Sequence, residues 1–548
     1  MCKIVLLAIN ARYIHSSLSV WALAGGISNY TRSAVETTVV EATINQSAKM
    51  IVEQVIVQSP TIIGISTYIW NANLLPEILN NLHQSLPQAV IVLGGPEASF
   101  NAEHWISHGA DYVIRGEGER SFPALVDALI AESSLANVPG LCRLEDGKFN
   151  KNREKALQEI PTNPYSVEWF SSLKGRIAYL ETSRGCPFSC AFCLSGQGAA
   201  RFFSIEYAKR QLSALSLSGA KTIKLVDRTF NCDPDRAYIL FDFVINMDTD
   251  CCFHFEVAAD MFNERVIALL ETAPPGRIQL EAGLQSFFEP TLHAVSRRVD
   301  IKKLERNIHA ILFGENIHIH IDLIAGLPLE TFTEFQNSFN RAYALGAHKL
   351  QLGFLKLLHG SVLRAQAKEF EIEFSQLPPY EIISNAWISA AELEILHKAE
   401  DALEHTYNSG RFLSTLSYVL TAAQMNPFDL YCSIGEQVPH NSMALTQYAQ
   451  KLYEYFCGLP GVCDNLLRDT MVCDILAGAK GTSFPPVLRV MNKRHNLVAK
   501  MAADFLGHTV SRRDTAVMVS RNQGVFAGDK RNRVTELFEL FFVELPGH

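Results

Sequence analysis

The stretch Cys186-Pro-Phe-Ser-Cys190-Ala-Phe-Cys193 places three thiols in a C-x-x-x-C-x-x-C spacing, directly after an apolar run at 177–181 that reads as a strand. Leu194-Ser195-Gly196-Gln197-Gly198 follows, and its glycines supply the backbone freedom that a tight loop needs. A loop this short, with three thiolates turned inward, holds metal.

No fourth cysteine lies nearby. A structural zinc site wants four closed ligands, and a [4Fe-4S] cluster is usually held by four cysteines, so three leave one iron open. Zinc and incidental thiols are the plain alternatives. With the preceding strand, the aromatic Phe192 and the glycines that follow, the motif resembles that of the radical S-adenosylmethionine (SAM) superfamily. The resemblance implies that Cys186, Cys190 and Cys193 carry a [4Fe-4S] cluster whose open iron is chelated by SAM. It also implies that the backbone at Phe192 lies near the adenine.

The chain has 548 residues, enough for three or four domains. Its 48% hydrophobic and 19% charged residues read as globular. A formal net charge of -9 argues against a general nucleic-acid binder. The apolar opening of Met1-Cys2-Lys3-Ile4-Val5-Leu6-Leu7 is broken by Asn10 and Arg12, and no small-residue cleavage site follows. No run approaches the ~20 apolar residues of a membrane span. A cytoplasmic protein is expected, in which the other nine of the 12 cysteines stay reduced.

Residues 1–135 alternate apolar runs, at 3–9, 37–43, 61–67, 89–95 and 110–116, with helical patterns such as 47–58. Five βα units predict a doubly wound, flavodoxin-like parallel sheet that binds its ligand beyond the strands' carboxyl ends. No G-x-G-x-x-G follows the first strand, which disfavours a dinucleotide. The segment resembles the cobalamin (B12)-binding domain found ahead of many radical SAM cores. That resemblance assigns Ser66, Gly94, Gly95 and Glu117 to cobalamin. The Asp-x-His-x-x-Gly loop that supplies a cobalt ligand in some such domains is missing, so the axial ligand is left open, His15 included.

Residues 136–172, with Glu145-Asp146-Gly147-Lys148 and Pro161-Thr-Asn-Pro164, read as a polar linker. Six more strand patterns over 173–360, at 177–181, 222–227, 252–258, 277–286, 318–326 and 349–358, suit the partial (β/α)6 barrel of the radical SAM family, with polar strand ends to watch. The resemblance carries Asp227 to the SAM amino group, although the family's Gly-Gly-Glu is absent. It carries Glu256 to the ribose or methionine end and Gly326 to the adenine, with Gln285 also on SAM. Residues 361–548 read as a mostly helical domain whose role is unknown. Cys432, Cys457, Cys463 and Cys473 in it match no cluster spacing.

Together the segments resemble cobalamin-dependent radical SAM enzymes of class B. In that family the cluster cleaves SAM to methionine and a 5'-deoxyadenosyl radical, which removes a hydrogen from an unactivated carbon, and methylcobalamin then delivers a methyl group to the substrate radical. A cyclase or rearrangement enzyme with cobalamin as electron relay is the alternative, and a non-catalytic cobalamin or iron-sulfur sensor a remote one. The implied partners are a flavodoxin- or ferredoxin-type reductant and a small-molecule or peptide substrate. No side chain is singled out as a catalytic acid or base.

Overall fold

The computed structural model describes all residues except 157–165, 197, 490–493 and 547–548. Pro161-Thr-Asn-Pro164 and Gln197 lie outside the described residues. The chain forms two compact units, residues 1–256 with 356–382, and residues 257–355 with 383–548.

The first unit opens with a sheet of seven strands in the order β2-β1-β3-β4-β5-β6-β7. β1 (Cys2–Asn10), β2 (Val35–Thr43), β3 (Ile62–Ser66), β4 (Val90–Gly94) and β5 (Tyr112–Ile114) are parallel. Residues 4–10 of β1 are all buried, because helices cover both faces. Val52, Leu79 and Trp105 pack on one face and Val20, Phe122 and Val126 on the other. The helix Ala48–Ile56 starts where the sequence pattern starts, with the Ser47 side chain accepting from the Met50 N–H.

The polar stretch read as a linker is partly structure. β6 (Leu141–Glu145) and β7 (Lys148–Lys151) form a hairpin that extends the sheet antiparallel beyond β5. Asp146-Gly147, both at positive φ, make its two-residue turn, as Asp-Gly does in hairpins.

Next in the first unit come β8 (Ile177–Leu180), an antiparallel hairpin of β9 (Ser183–Cys186) and β10 (Gly198–Phe202), then β11 (Thr222–Leu225) and β12 (Cys252–Val257). β11 pairs in parallel with β8 on one side and β12 on the other. In the second unit β13 (Ile278–Gln285), β14 (His318–Ala325) and β15 (Lys349–Phe354) are also parallel, each with one buried face and one partly open polar face. All six strands expected at 173–360 are present, with helices such as Pro234–Ile245 and Phe332–Ala344 between them.

Residues 356–382, which hold β16 (Glu373–Phe374), belong to the first unit, while β17 (Ile382–Ser384) stands at the boundary. The C-terminal part is helical from Ala390–His405, opened by a capping box of Ser389 and Glu392, through His495–Leu506. It then adds an antiparallel sheet missed in the sequence, made of β18 (Thr515–Val517), β19 (Gln523–Arg531) and β20 (Phe538–Glu544). No described helix is long and apolar enough to cross a membrane.

Three buried carboxylates set an expected pH dependence. Burial pushes Asp227 and Glu330 up to about 7, and Asp474 up to about 6. The folded chain therefore binds protons that the unfolded chain has released, and stability falls as pH rises from about 4 through about 7. Calorimetry should show a lower Tm at pH 8 than at pH 5.5, with Glu330→Gln flattening the slope. A Tm that rises over that interval would contradict this balance.

Candidate functional site

The three cysteines sit on the β9–β10 hairpin. Cys186 ends β9 opposite Gly198, and the Cys193 N–H donates to the Cys190 carbonyl at 3.0 Å, turning the chain so that both thiols leave one short loop. Gly196 cannot be replaced without movement, since a Cβ there would stand 2.4 Å from the Phe188 carbonyl oxygen. Cys186 and Cys190 are buried and Cys193 half-buried, and all three are free of disulfides. Two sulfurs have polar neighbours. The Cys186 Sγ and Thr229 Oγ1 are 3.4 Å apart, and the Ser195 N–H donates to the Cys193 Sγ at 3.4 Å. Among the described residues no three His, Cys, Asp or Glu side chains converge as ligands of a single ion would. A [4Fe-4S] cluster takes its thiolates on separate irons and asks for no such convergence, so the loop fits one.

Asp227 is committed to this loop. Its carboxylate accepts from the Thr182 N–H, the Thr182 hydroxyl at 3.1 Å and the Ser183 hydroxyl. The side chain is buried, which raises its pKa, and Arg236 donates to the Thr182 carbonyl at 3.1 Å beside it. Asp227 thus braces Thr182 and Ser183 at the corner between β8 and β9, four and three residues ahead of Cys186. Glu256, which a strand would not choose for stability, has the cations of Lys224 at 3.5 Å and Arg228 at 3.9 Å. Phe192 lies within the loop, half-buried.

The remaining two SAM expectations fall in the second unit. Gln285 ends β13 at a bulge with φ 77°, and its Oε1 is buried with no hydrogen-bond partner among the described residues. Such a combination of backbone strain and an orphaned acceptor is typical of ligand positions. Gly326, at φ 86°, follows β14 and its carbonyl accepts from Asn385 at 2.9 Å.

A cavity of about 650 Å³ lies within the first unit. Ser66, Gly94, Gly95 and Glu117 all line it, and so does His15. The opposite wall comes from the barrel strands, through Tyr179, Glu181, Arg184, Val226 and Arg228. Gly95 has φ 96°, and a Cβ would meet the Thr67 carbonyl oxygen at 2.7 Å, so the two loops at the β3 and β4 ends meet backbone to backbone. That flat, glycine-lined edge fits a macrocycle. The His15 Nδ1 is 2.6 Å from the Tyr179 hydroxyl, and burial followed by Arg12, Lys224 and Arg176 lowers its pKa.

Two features of this cavity were not foreseen. Tyr68 and Trp70 stack with ring centroids 4.2 Å apart and line its wall; two aromatics right after a strand end, off the core periodicity, were the available signal. The second is a buried charge network. Arg184 pairs with Glu181 at 2.8 Å and with Glu119, Glu117 lies 3.6 Å away, and Arg201 also bonds Glu117. Burial works against the Arg184 charge, but Glu181 and Glu119 outweigh it and hold the guanidinium more firmly protonated. Burial raises Glu181 despite Arg184.

A glycine-edged cavity at the carboxyl ends of a parallel sheet, facing a three-cysteine hairpin on the barrel strands, defines a protein that unites a B12-binding domain with a radical SAM domain. The comparisons agree. The B12 binding domain matches residues 4–126, the radical SAM superfamily residues 180–342, and a family described as protein of unknown function (DUF4080) residues 368–516. The chain thus carries a B12-binding domain followed by a radical SAM domain, and such domains bring cobalamin, SAM and a [4Fe-4S] cluster.

An uncharacterized methyltransferase of Pyrococcus horikoshii is 28% identical over 304 residues, covering 52% of this chain and 64% of that protein. The cobalamin-dependent radical SAM methyltransferase TokK of Streptomyces tokunonensis is 22% identical over 429 residues, 73% of this chain and 62% of that one. The chain thus spans less than two thirds of these curated relatives. Among solved structures, the cobalamin-dependent SAM radical enzyme OxsB with aqua-cobalamin and SAM bound shares the fold, with a TM-score of 0.59, 15% identity, and coverage of 86% of this chain and 79% of that one.

Proposed function

We propose that the chain is a cobalamin-dependent radical SAM enzyme that methylates an unactivated carbon. One observation carries the reading: a single cavity is walled by the corrin-edge residues Ser66, Gly94 and Gly95 and, across it, by Glu181 and Arg184 of the strand and hairpin that lead into the cluster cysteines. When bound, the cluster with SAM supplies hydrogen-atom abstraction and methylcobalamin supplies the methyl group.

The chain's own residues do the positioning. Cys186, Cys190 and Cys193 ligate, while the Ser195 N–H stabilises charge on the Cys193 sulfur. Asp227 fixes the corner from which the loop departs. Glu256 and Gln285 contact SAM, and Gly326 backs its adenine. Leu23, Ile65, Leu93 and Phe122 make the cavity wall apolar and exclude water. The substrate is a small molecule or peptide, electrons come from a flavodoxin- or ferredoxin-type protein, and the enzyme works in the cytoplasm.

The test is product analysis. Full-length protein is reconstituted anaerobically with iron, sulfide and hydroxocobalamin, then given SAM and a chemical reductant. Both 5'-deoxyadenosine and S-adenosylhomocysteine are expected. 5'-Deoxyadenosine alone would favour a cyclase or rearrangement, and neither product would contradict the reading.

A further inference from the structure

Residues 356–382 return from the last barrel strand to the first unit and touch both cofactor regions. At one end, the Leu363 N–H donates at 2.8 Å to the carbonyl of Ala191, which stands between Cys190 and Cys193. At the other, the Tyr380 hydroxyl donates at 2.6 Å to the Glu97 carboxylate, and the Asn73 amide donates at 3.0 Å to the Pro378 carbonyl. Glu97 follows Gly94-Gly95-Pro96, the edge of the corrin cavity. Gly360, at φ 85°, packs so closely on Phe100 that a Cβ would stand 2.1 Å from its ring.

The segment is stiff between these ends. The Leu357 N–H donates to the Tyr380 carbonyl at 2.9 Å, and the Ser375 N–H to that of Glu381 at 2.8 Å. The Arg364 guanidinium reaches the Leu357 carbonyl at 2.5 Å and lies 4.9 Å from the ring centres of both Tyr380 and Phe374. Glu97 and Tyr380 are both buried, and Tyr380 shares the Glu97 carboxylate with the Asn101 side chain.

We propose that this segment is a strap that couples the two cofactor sites, with Tyr380 and Glu97 as positioning residues for the corrin edge and Leu363 for the cluster loop. The inference rests on the cofactor reading above. Filling the cysteine loop fixes the Ala191 carbonyl, which fixes Leu363, and the braced strap carries that order to Glu97 and Gly95. Cobalamin then meets an edge that is already ordered and binds more tightly, and the coupling is reciprocal.

The experiment measures the Kd of full-length protein for hydroxocobalamin by quenching of tryptophan fluorescence, with the cluster removed and with it reconstituted. The cluster should tighten binding by about fivefold or more, the lower range of allosteric couplings. Tyr380→Phe keeps the ring and its packing and loses only the hydroxyl bond to Glu97. It should retain both cofactors and bring the two Kd values to within about twofold. A purely structural role would weaken both affinities and lower Tm while preserving their ratio, and would overturn the proposal. Equal wild-type affinities with and without cluster overturn the coupling but leave the cofactor reading intact. No binding in either form overturns both.

Discussion

Replacing Cys186, Cys190 or Cys193 with alanine will bring SAM cleavage to background while leaving the chain folded. The loop's shape does not depend on the sulfurs. It is held by the β9–β10 pairing, the Cys193-to-Cys190 turn, the Asp227 brace and the Leu363 bond to Ala191. Each cysteine is a small side chain, so truncation costs on the order of 1 kcal/mol. A cluster with one of its three protein ligands missing, by contrast, cannot hold SAM in a productive position. Iron content, 5'-deoxyadenosine yield and Tm on the same preparations separate these effects. Cleavage retained in any single variant would contradict the ligand assignment.

Arg184→Met will destabilise the protein by about 3–5 kcal/mol, the cost of removing one partner from a buried charge network. The guanidinium faces Glu181, Glu119 and Glu117 with only 14% of its side chain exposed. Methionine keeps the bulk but leaves the carboxylates to repel one another. Arg184→Lys will recover only part, because an ammonium cannot present the planar fork that meets both Glu181 oxygens. Without the cation these carboxylates take up protons in the folded state, so their pKa values rise above those of the unfolded chain. The deficit is therefore smallest at low pH and grows as pH rises. Urea unfolding of both variants at pH 5.5 and 8 checks magnitude and slope together. A deficit under ~1 kcal/mol at pH 8, typical of an exposed pair, would show that the network is solvated.

Much of the fold was legible because its signals are local. Period-2 and period-3.6 patterns marked the parallel strands and their helices, and the cysteine spacing marked a loop, which the structure shows as the β9–β10 hairpin. That Ser66, Gly94, Gly95 and Glu117 line one cavity was legible because the crevice of a parallel sheet lies at its strands' carboxyl ends. What stayed hidden depends on distant pairing. Arg184 and Glu119 are 65 positions apart, and Glu97 and Tyr380 are 283 apart, so neither shows in a window of sequence. Asp227 was expected at SAM, yet its carboxylate already answers Thr182 and Ser183. The 141–151 hairpin was taken for linker because its strands are short and polar at the sheet edge. The net charge of -9 concealed a local basic surface: Arg512, Arg513, Lys530, Arg531 and Arg533 are exposed just ahead of β18 and around the β19–β20 turn.

The most direct test of the central claim, that one chain holds both cofactors, is to count iron and corrin in the same anaerobically reconstituted sample. About four iron and one corrin per chain are expected, with iron lost and corrin kept in the cysteine variants. A full complement of iron with no corrin would contradict it, and would make the first domain an empty flavodoxin-like module attached to an ordinary radical SAM barrel.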